Sequence, residues 1–389
     1  MMEDKRALAH IEKIEWVKPI EGADNIELIG VLGWVCIAKR GEFQSGDLAV
    51  YIEIDSKCPD SDGRFEFLAA KHYKVKTMKL GKFHVISQGL ALPLEEFPEL
   101  NGKVIGTDVT DDLKITYSSE DDLKRKTTAI DPDAKYKAMS RRRPELFKKP
   151  IVRKIMRYTI GKRLMFLLFG RKKDNPKKFP DWIVRTDETR IENAPFYLGM
   201  KEPFIVTEKL DGTSCTFAVN RLKKGKDKFE FIVCSRNVRQ ADRNQECYHE
   251  SNIYWELADK YNIESILTHF AKVNKYDKVV LQGEGIGYVQ GNPYKLKSNS
   301  LYIFNLIVDG VRFGTEEMAD FCWKHELHSV PIVAKVNKLP NEMEDMKLNA
   351  EGFSVINPKV KREGLVYRSV DGRKSFKNVS REYLLKHNG

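Results

Sequence analysis

The chain has 389 residues, 41% of them apolar and 10% aromatic, which is enough to bury more than one core and too many for wholesale disorder. Lys and Arg number 67 against 56 Asp and Glu, a net charge of +11, and residues 123–180 alone hold 20 of the basic and 4 of the acidic residues. The remainder, 47 basic against 52 acidic, is slightly negative, so the basic character is concentrated in one segment that suits either a polyanion partner or a solvated linker.

No stretch approaches 18 uncharged apolar residues. The strongest candidate, residues 165–169, is flanked by Lys162, Arg163 and Arg171, so no membrane span is expected. The first six residues lead into no apolar run, so no secretory leader is expected either. Cysteines at 36, 58, 215, 234, 247 and 322 show no C-x-x-C or Cys/His clustering. That pattern predicts neither a zinc site nor a disulfide scaffold, and it suits a cytoplasmic or nuclear location.

In chain order, residues 26–31, 34–38 and 48–54 are β-branched, apolar runs separated by Gly30, Gly33, Gly41 and Gly46-Asp47, and 75–78 and 85–86 continue the pattern before Gly89. Closely spaced short strands predict a small β-barrel or sandwich over 1–110. Residues 111–180 break the pattern. Ile151, Val152, Ile155, Met156 and Ile160 recur at near-helical spacing among Arg153, Lys154, Arg157 and Lys162, a basic amphipathic helix. From about 181 the chain reads as mixed, with strands at 203–208, 213–219 and 228–234 and a basic hairpin at 223–226. A helix over 253–273, broken near Tyr261-Asn262, precedes strands at 278–282 and 301–308. Thr315 heads a helix with Glu316 and Glu317 in its first turn, and strands return at 364–368 and 375–379. Short turns between neighbouring strands predict largely antiparallel sheets, an α+β class overall, with a third region spanning 181–389.

Two features invite nucleotide chemistry. Gly283-Glu284-Gly285-Ile286-Gly287 follows a strand, but it lacks the glycine spacing of a dinucleotide fingerprint and no βαβ unit follows. Lys209-Leu210-Asp211-Gly212 places a lysine at the end of a strand and a carboxylate in the glycine turn after it. A lysine acts as a covalent nucleophile when desolvation or nearby cations depress its pKa, and a divalent metal near Asp211 could supply that field. On its own the segment reads more readily as a β-hairpin with an exposed lysine.

The company of that segment resembles a known family. Lys209-Leu210-Asp211-Gly212 resembles motif I of the covalent nucleotidyltransferases, Ser235-Arg236-Asn237 motif Ia and Gln282-Gly283-Glu284 motif III. Ile303-Phe304-Asn305 resembles motif IIIa, Glu363-Gly364-Leu365-Val366 motif IV and Ser375-Phe376-Lys377 motif V. Residues 186–193, Thr-Asp-Glu-Thr-Arg-Ile-Glu-Asn, are similar to the stretch before motif I in ATP-dependent RNA ligases. Gly33-Trp34, Lys39-Arg40-Gly41-Glu42-Phe43, Tyr51-Ile52-Glu53-Ile54-Asp55-Ser56 and Ile86-Ser87-Gln88-Gly89-Leu90 resemble the OB domain of one subgroup, exemplified by the Naegleria and Deinococcus RNA ligases. There the OB domain precedes the nucleotidyltransferase domain, whereas DNA ligases and GTP-dependent capping guanylyltransferases place theirs after it.

The resemblance implies three regions: an OB β-barrel (1–110), a basic, partly helical linker or insertion (111–180), and a nucleotidyltransferase domain of antiparallel sheets with flanking helices (181–389). It implies an ATP-dependent RNA ligase active in RNA repair, monomeric, with RNA as partner and no membrane. DNA ligase, capping enzyme and inactive RNA-binding relative are the rival readings. Lys209 is then the AMP-carrying nucleophile. Glu363, Glu284 and Asp211 organise Mg²⁺ or Mn²⁺, Phe304 stacks on adenine and Glu208 frames the base. Arg190 and Arg236 hold ribose or RNA phosphate. Lys377 and Lys374 bind the α-phosphate and leaving group, although relatives often carry motif V lysines two apart and Ser375 and Val379 stand at those positions here. Glu351-Gly352-Phe353 is a second match to motif IV; Glu351 is read as a surface carboxylate because the strand after Glu363 leads directly to Lys377. Since all six motifs lie beyond residue 200, removal of 1–110 is expected to leave self-adenylylation measurable.

Overall fold

A computed structural model describes residues 7–117, 144–169, 177–222, 228–240 and 252–387. The hairpin at 223–226, Cys247 and Arg141, Arg142 and Arg143 lie outside them. The chain divides into two compact units. One joins 1–118, 178–239 and 253–389; the other joins 119–177 and 240–252.

The N-terminal part of the first unit is a five-stranded sheet of β1 (Ala9–Pro19), β2 (Ile26–Val31), β3 (Trp34–Lys39), β4 (Leu48–Ile52) and β5 (Leu90–Pro93), in the order β3-β2-β1-β4-β5. Strand β1 organises it. Its first half pairs with β4 (Ile11 opposite Val50), and its second half pairs with β2 (Val17 opposite Ile29), with a bulge between Ile14 and Trp16. A bulge sharpens the bend of a strand and lets one long strand serve two neighbours. The two edges approach where Gln88 N–H donates to Val35 O at 2.8 Å. Sequence periodicity shows β2 and β3 but not β1, because His10 and Glu12 are buried along with Ala9 and Ile11, so polar and apolar residues do not alternate with burial there. The strand expected at 75–78 forms instead at Met78–Leu80, paired with Val85–Ser87.

The C-terminal part of this unit has two sheets. The larger contains β7 (Thr213–Arg221), β8 (Phe229–Cys234), β9 (Val238–Arg239), β10 (Lys278–Ile286) and β11 (Ser300–Val308), in the order β9-β8-β7-β10-β11. Helices α4 (Ile253–Lys260), α5 (Ile263–Asn274) and α6 (Thr315–Lys324) cover one face through Leu257, Leu267 and Phe321. The smaller is antiparallel throughout, β12-β6-β13-β14, from β6 (Phe204–Lys209), β12 (Ile332–Val336), β13 (Gly364–Ser369) and β14 (Ser375–Val379). Helix α7 (Met343–Ala350) packs on it through Met346, beside Phe204, Leu365 and Phe376. Helix α8 (Arg381–His387) ends the described chain.

The N- and C-terminal parts share buried surface. Val379 and Leu384 belong to the same apolar cluster as Trp34, Cys36 and Tyr51. A Cβ on Gly33 would lie 2.8 Å from the Glu192 backbone, so the β2–β3 turn needs glycine to approach this closely. Trp34 Nε1–H donates to Asn193 Oδ1 at 2.5 Å, and the Asn193 amide donates to Glu53. Arg190 reaches Asp55 at 3.1 Å and lies over the Trp34 ring at 5.7 Å. Beneath this seam Lys347 and Glu192 form an ion pair, both almost fully buried, and Lys347 also donates to Val379 O.

In the second unit α1 (Pro144–Phe147), α2 (Pro150–Ile155) and α3 (Thr159–Phe169) are described. Met165 is buried against Leu146, Phe147, Val152, Ile155 and Met156. The single expected helix is thus two, separated at Met156–Tyr158. Among the described residues no helix is long and apolar enough to cross a membrane. The five described cysteines are buried and free.

Candidate active site

The site is built where the two C-terminal sheets meet. Strand β6 ends at Lys209, opposite Gly364 at the start of β13, which brings the preceding residue, Glu363, beside it. Lys209 Nζ lies 2.6 Å from Glu363 Oε1. The turn after Lys209 crosses the end of β10: a Cβ on Gly212 would fall 2.3 Å from the Gly285 carbonyl, so motif I needs glycine there because two backbones touch. The glycines of β10 have a similar reason. Gly283 would meet the Tyr302 carbonyl, and Gly285 would meet Leu257 and the Cys215 sulfur. These glycines are close-packing positions on an antiparallel strand rather than part of a βαβ unit.

Electrostatics single out this corner. Burial pulls the Lys209 ammonium toward neutrality, but Glu363, Glu284 and Asp211 outweigh it and hold its pKa above the ordinary lysine value. The expectation of a depressed lysine is therefore reversed in the free chain: the nucleophile is stored as an ammonium in an ion pair. Glu284 is pushed up to about 8 by burial and by the charges of Glu363 and Asp211, against the pull of Lys209. Glu363 Oε2 is buried and has no hydrogen-bond partner. Three carboxylates crowding one ammonium, with one carboxylate oxygen orphaned, form a donor set that suits a hard divalent cation. Among the described residues no three acidic, histidine or cysteine side chains are gathered tightly enough to ligate a metal directly. The fit is therefore to a hydrated ion held through water, as magnesium prefers.

The other expected residues divide. Lys377 stands on β14 opposite Val366, which in turn faces Thr207 on β6, so it shares the face of Lys209. Its Nζ lies 2.7 Å from Asp187 Oδ1, and Arg236 reaches Asp187 Oδ2 at 3.3 Å. Phe304 sits at the register shift between β10 and β11, half-buried in an apolar wall with Leu210, Ile286, Tyr294 and Val330. Glu208 accepts the Val355 N–H at 2.8 Å, and burial raises its carboxyl above the usual range. Arg190 is turned into the seam toward Asp55, with Nε and Nη1 buried and without hydrogen-bond partners.

Lys374 is not brought in. It pairs with Glu202 at 2.5 Å at the far end of β13 and β14, where Arg368 faces Ser375, several residues along the sheet from Gly364. Glu351 corrects another expectation. It is half-buried rather than exposed, and it accepts Ser380 Oγ–H at 2.6 Å and the Arg381 N–H at 2.7 Å at the start of α8. Glu363 is the carboxylate beside Lys209, and Glu351 is a helix cap. Sequence reasoning also missed Asp187, Tyr294 and Tyr383. Asp211 N–H donates to Tyr294 Oη at 2.7 Å, and Tyr383 O–H donates to Asp211 Oδ2. Only Asp187 carried a signal, its place in the stretch before motif I.

Comparisons with known proteins give the domain types. An OB-fold domain model matches residues 8–94, and an RNA ligase model matches residues 202–386, the span that contains Lys209, Glu284, Glu363 and Lys377. Residues 202–386 are an RNA ligase domain. Among solved structures, Naegleria gruberi RNA ligase with PPi is 28% identical, covers 99% of each chain and superposes with a TM-score of 0.74. A lysine-to-alanine mutant of the same ligase with ATP and Mn is 28% identical over 98% of this chain and 99% of that one, at a TM-score of 0.73. A glutamate-to-alanine mutant with AMP and Mn gives the same identity, coverages and TM-score. No curated protein sequence matches the chain. The ligase therefore has an N-terminal OB fold ahead of its ligase domain, an order shared along nearly the whole of the Naegleria enzyme.

Proposed function

We propose that this RNA ligase joins RNA 3′-hydroxyl and 5′-phosphate ends with ATP, through a lysyl-AMP intermediate on Lys209. The observation that carries the reading is the 2.6 Å Lys209–Glu363 pair at the end of β6, surrounded by Glu284 and Asp211 and overlooked by Lys377 on the same sheet face. The relatives solved with ATP or AMP and Mn make an adenine nucleotide and a divalent ion the corresponding ligands here.

In the first step Lys209 Nζ, having lost its proton, attacks the α-phosphorus of ATP; the N–P bond forms as the bond to pyrophosphate breaks. In the second, an oxygen of an RNA 5′-phosphate takes the AMP group and Lys209 is expelled. In the third, an RNA 3′-hydroxyl attacks that 5′-phosphate and AMP leaves. Lys377 offsets charge on the α-phosphoryl oxygens and Arg236 contacts ribose or RNA phosphate. Phe304 stacks on adenine within its apolar wall, and Glu208, anchored by Val355, frames the base edge. Asp211, Glu284 and Glu363 would hold a hydrated Mg²⁺ or Mn²⁺, which would supply positive charge for the phosphoryl oxygens. We place the enzyme in the cytoplasm or nucleus as a monomer acting on broken RNA.

The test is incubation with labelled ATP or GTP and magnesium, followed by denaturing electrophoresis. Label from ATP in an acid-labile bond, absent in Lys209→Ala, is expected. Label from GTP alone, or label that persists in the variant, overturns the assignment.

A further inference from the structure

Asp211 lies two residues past the nucleophile in a glycine turn, and two tyrosines fix it. Tyr294 accepts its backbone N–H at 2.7 Å, and Tyr383 donates to its Oδ2. Tyr383 stands in helix α8, whose next residue, Leu384, is buried with Trp34 and Tyr51 in the N-terminal core. The start of that helix is set by Glu351, which accepts from Ser380 Oγ and Arg381 N–H, while Ser380 Oγ accepts the Tyr383 N–H at 3.0 Å. A continuous chain of contacts thus runs from the helix cap, through the tyrosine, to motif I.

We infer that Tyr383 is a positioning residue for Asp211, and that Glu351, the second motif IV match, acts through it by fixing the helix that carries the tyrosine. The physical reason is the charge balance of the corner. Asp211, Glu284 and Glu363 share the corner with Lys209, while Lys377 and Arg236 also draw on Glu363 and Glu284, and one more lysine or arginine set against Asp211 would compete with the nucleotide's counterions for it. A neutral phenol donor satisfies a half-buried carboxylate oxygen without adding charge. It also selects one side-chain rotamer of Asp211, so the same carboxylate geometry is presented each time a hydrated divalent ion arrives. Because Tyr383 belongs to the element packed into the OB core, the orientation of Asp211 depends on that core.

The inference rests on the ligase reading of the site, and its test separates the two. Full-length wild type, Tyr383→Phe, Asp211→Asn and the double variant are titrated with Mn²⁺ in the presence of ATP, free Mn²⁺ being followed by electron paramagnetic resonance. Adduct rate against Mn²⁺ concentration and thermal midpoint are measured on the same samples. Tyr383→Phe removes one oxygen and keeps the ring. It is expected to require about tenfold more Mn²⁺ for half-occupancy and half-maximal rate, the scale of one hydrogen bond to a charged group. The thermal midpoint should stay close to wild type. In the Asp211→Asn background the same change should cost less than about twofold, because partners in one contact are not additive. Glu351→Gln should shift the Mn²⁺ requirement in the same direction, and this shift should vanish in Tyr383→Phe. A wild-type Mn²⁺ requirement in Tyr383→Phe, or an equal loss in the Asp211→Asn background, overturns the inference. A wild type that binds Mn²⁺ but forms no adduct overturns the ligase reading, while the Mn²⁺ titration still decides the role of Tyr383.

Discussion

Removal of residues 1–110 is expected to disturb the ligase domain itself. Val379, which ends the strand carrying Lys377, and Leu384, next to Tyr383, are 3% and 5% exposed because the N-terminal part covers them. Burying a side chain of this size stabilises by about 1.5–3 kcal/mol, so uncovering the two costs roughly 3–6 kcal/mol. The truncation also strips Asp55 from Arg190, and Trp34 and Glu53 from Asn193. Domains of this kind have about 5–15 kcal/mol of net stability, so these losses are a large fraction of the whole. The view that the six motifs suffice for the first step therefore gives way to the expectation that the truncated protein unfolds at markedly lower urea and self-adenylylates poorly at 37 °C. Trp34→Ala tests the same seam in the intact chain: it removes a buried indole, its hydrogen bond to Asn193 and its contact with Arg190, a loss of about 3–5 kcal/mol. Urea unfolding and the labelled-ATP assay on both proteins measure the effect. A truncated protein with full-length urea resistance and a full adduct rate refutes the shared-core argument.

Glu363→Ala and Lys377→Ala should each lower adduct formation by about 10²-fold or more with unfolding midpoints near wild type, since both act on developing phosphoryl charge. Glu351→Ala should instead lower stability by about 1 kcal/mol through the lost cap, with a smaller loss of adduct. His10 is buried with its ring nitrogens against Glu12 and Glu53; burial lowers its pKa, but the two carboxylates outweigh it and raise it to about 9. The folded chain therefore keeps a proton there that the unfolded chain releases near 6.5, so its contribution is complete below that value and is lost as pH rises to about 9. Urea midpoints across that window should fall in wild type and flatten in His10→Gln; equal slopes defeat the assignment. Neutralising Arg141, Arg142 and Arg143 together should flatten the salt dependence of RNA binding if they meet phosphates, by about 0.9 in log–log slope per contact on a B-form scale. An unchanged slope assigns them to the solvated linker.

What the sequence discloses follows from how local each determinant is. Strand β2 is legible to the residue because Ile26–Val31 is rich in β-branched and apolar residues between turn formers, and β14 because Phe376 and Val379 flank motif residue Lys377 just after the Asp371-Gly372 turn. Lys209, Glu363 and Lys377 are legible because each sits on a strand, or directly before one, whose neighbours also carry motif residues. The choice of Glu363 over Glu351 rests on the strand that leads from it to Lys377, and the ladder between β13 and β14 has that register. What escapes is set across space. Tyr294 and Tyr383 reach Asp211 from 83 and 172 residues away, and no pattern near either tyrosine announces it. Lys374 looks like a motif residue by spacing, yet the Asp371-Gly372 turn leaves it beside Glu202. Helix α7 and strand β12 lack clear periodicity in the sequence, since their exposure follows packing against β6 and β14 rather than an amphipathic repeat.

The Lys347–Glu192 pair has a consequence for how this sequence can drift. Both side chains are within 2% of complete burial, so replacing either one alone strands its partner's charge in the seam, a loss of about 3–5 kcal/mol. Exchanging both for apolar residues of similar volume is often neutral or even stabilising. The two positions are therefore separated from their apolar alternative by a valley that single substitutions must cross, and they are expected to change together or not at all.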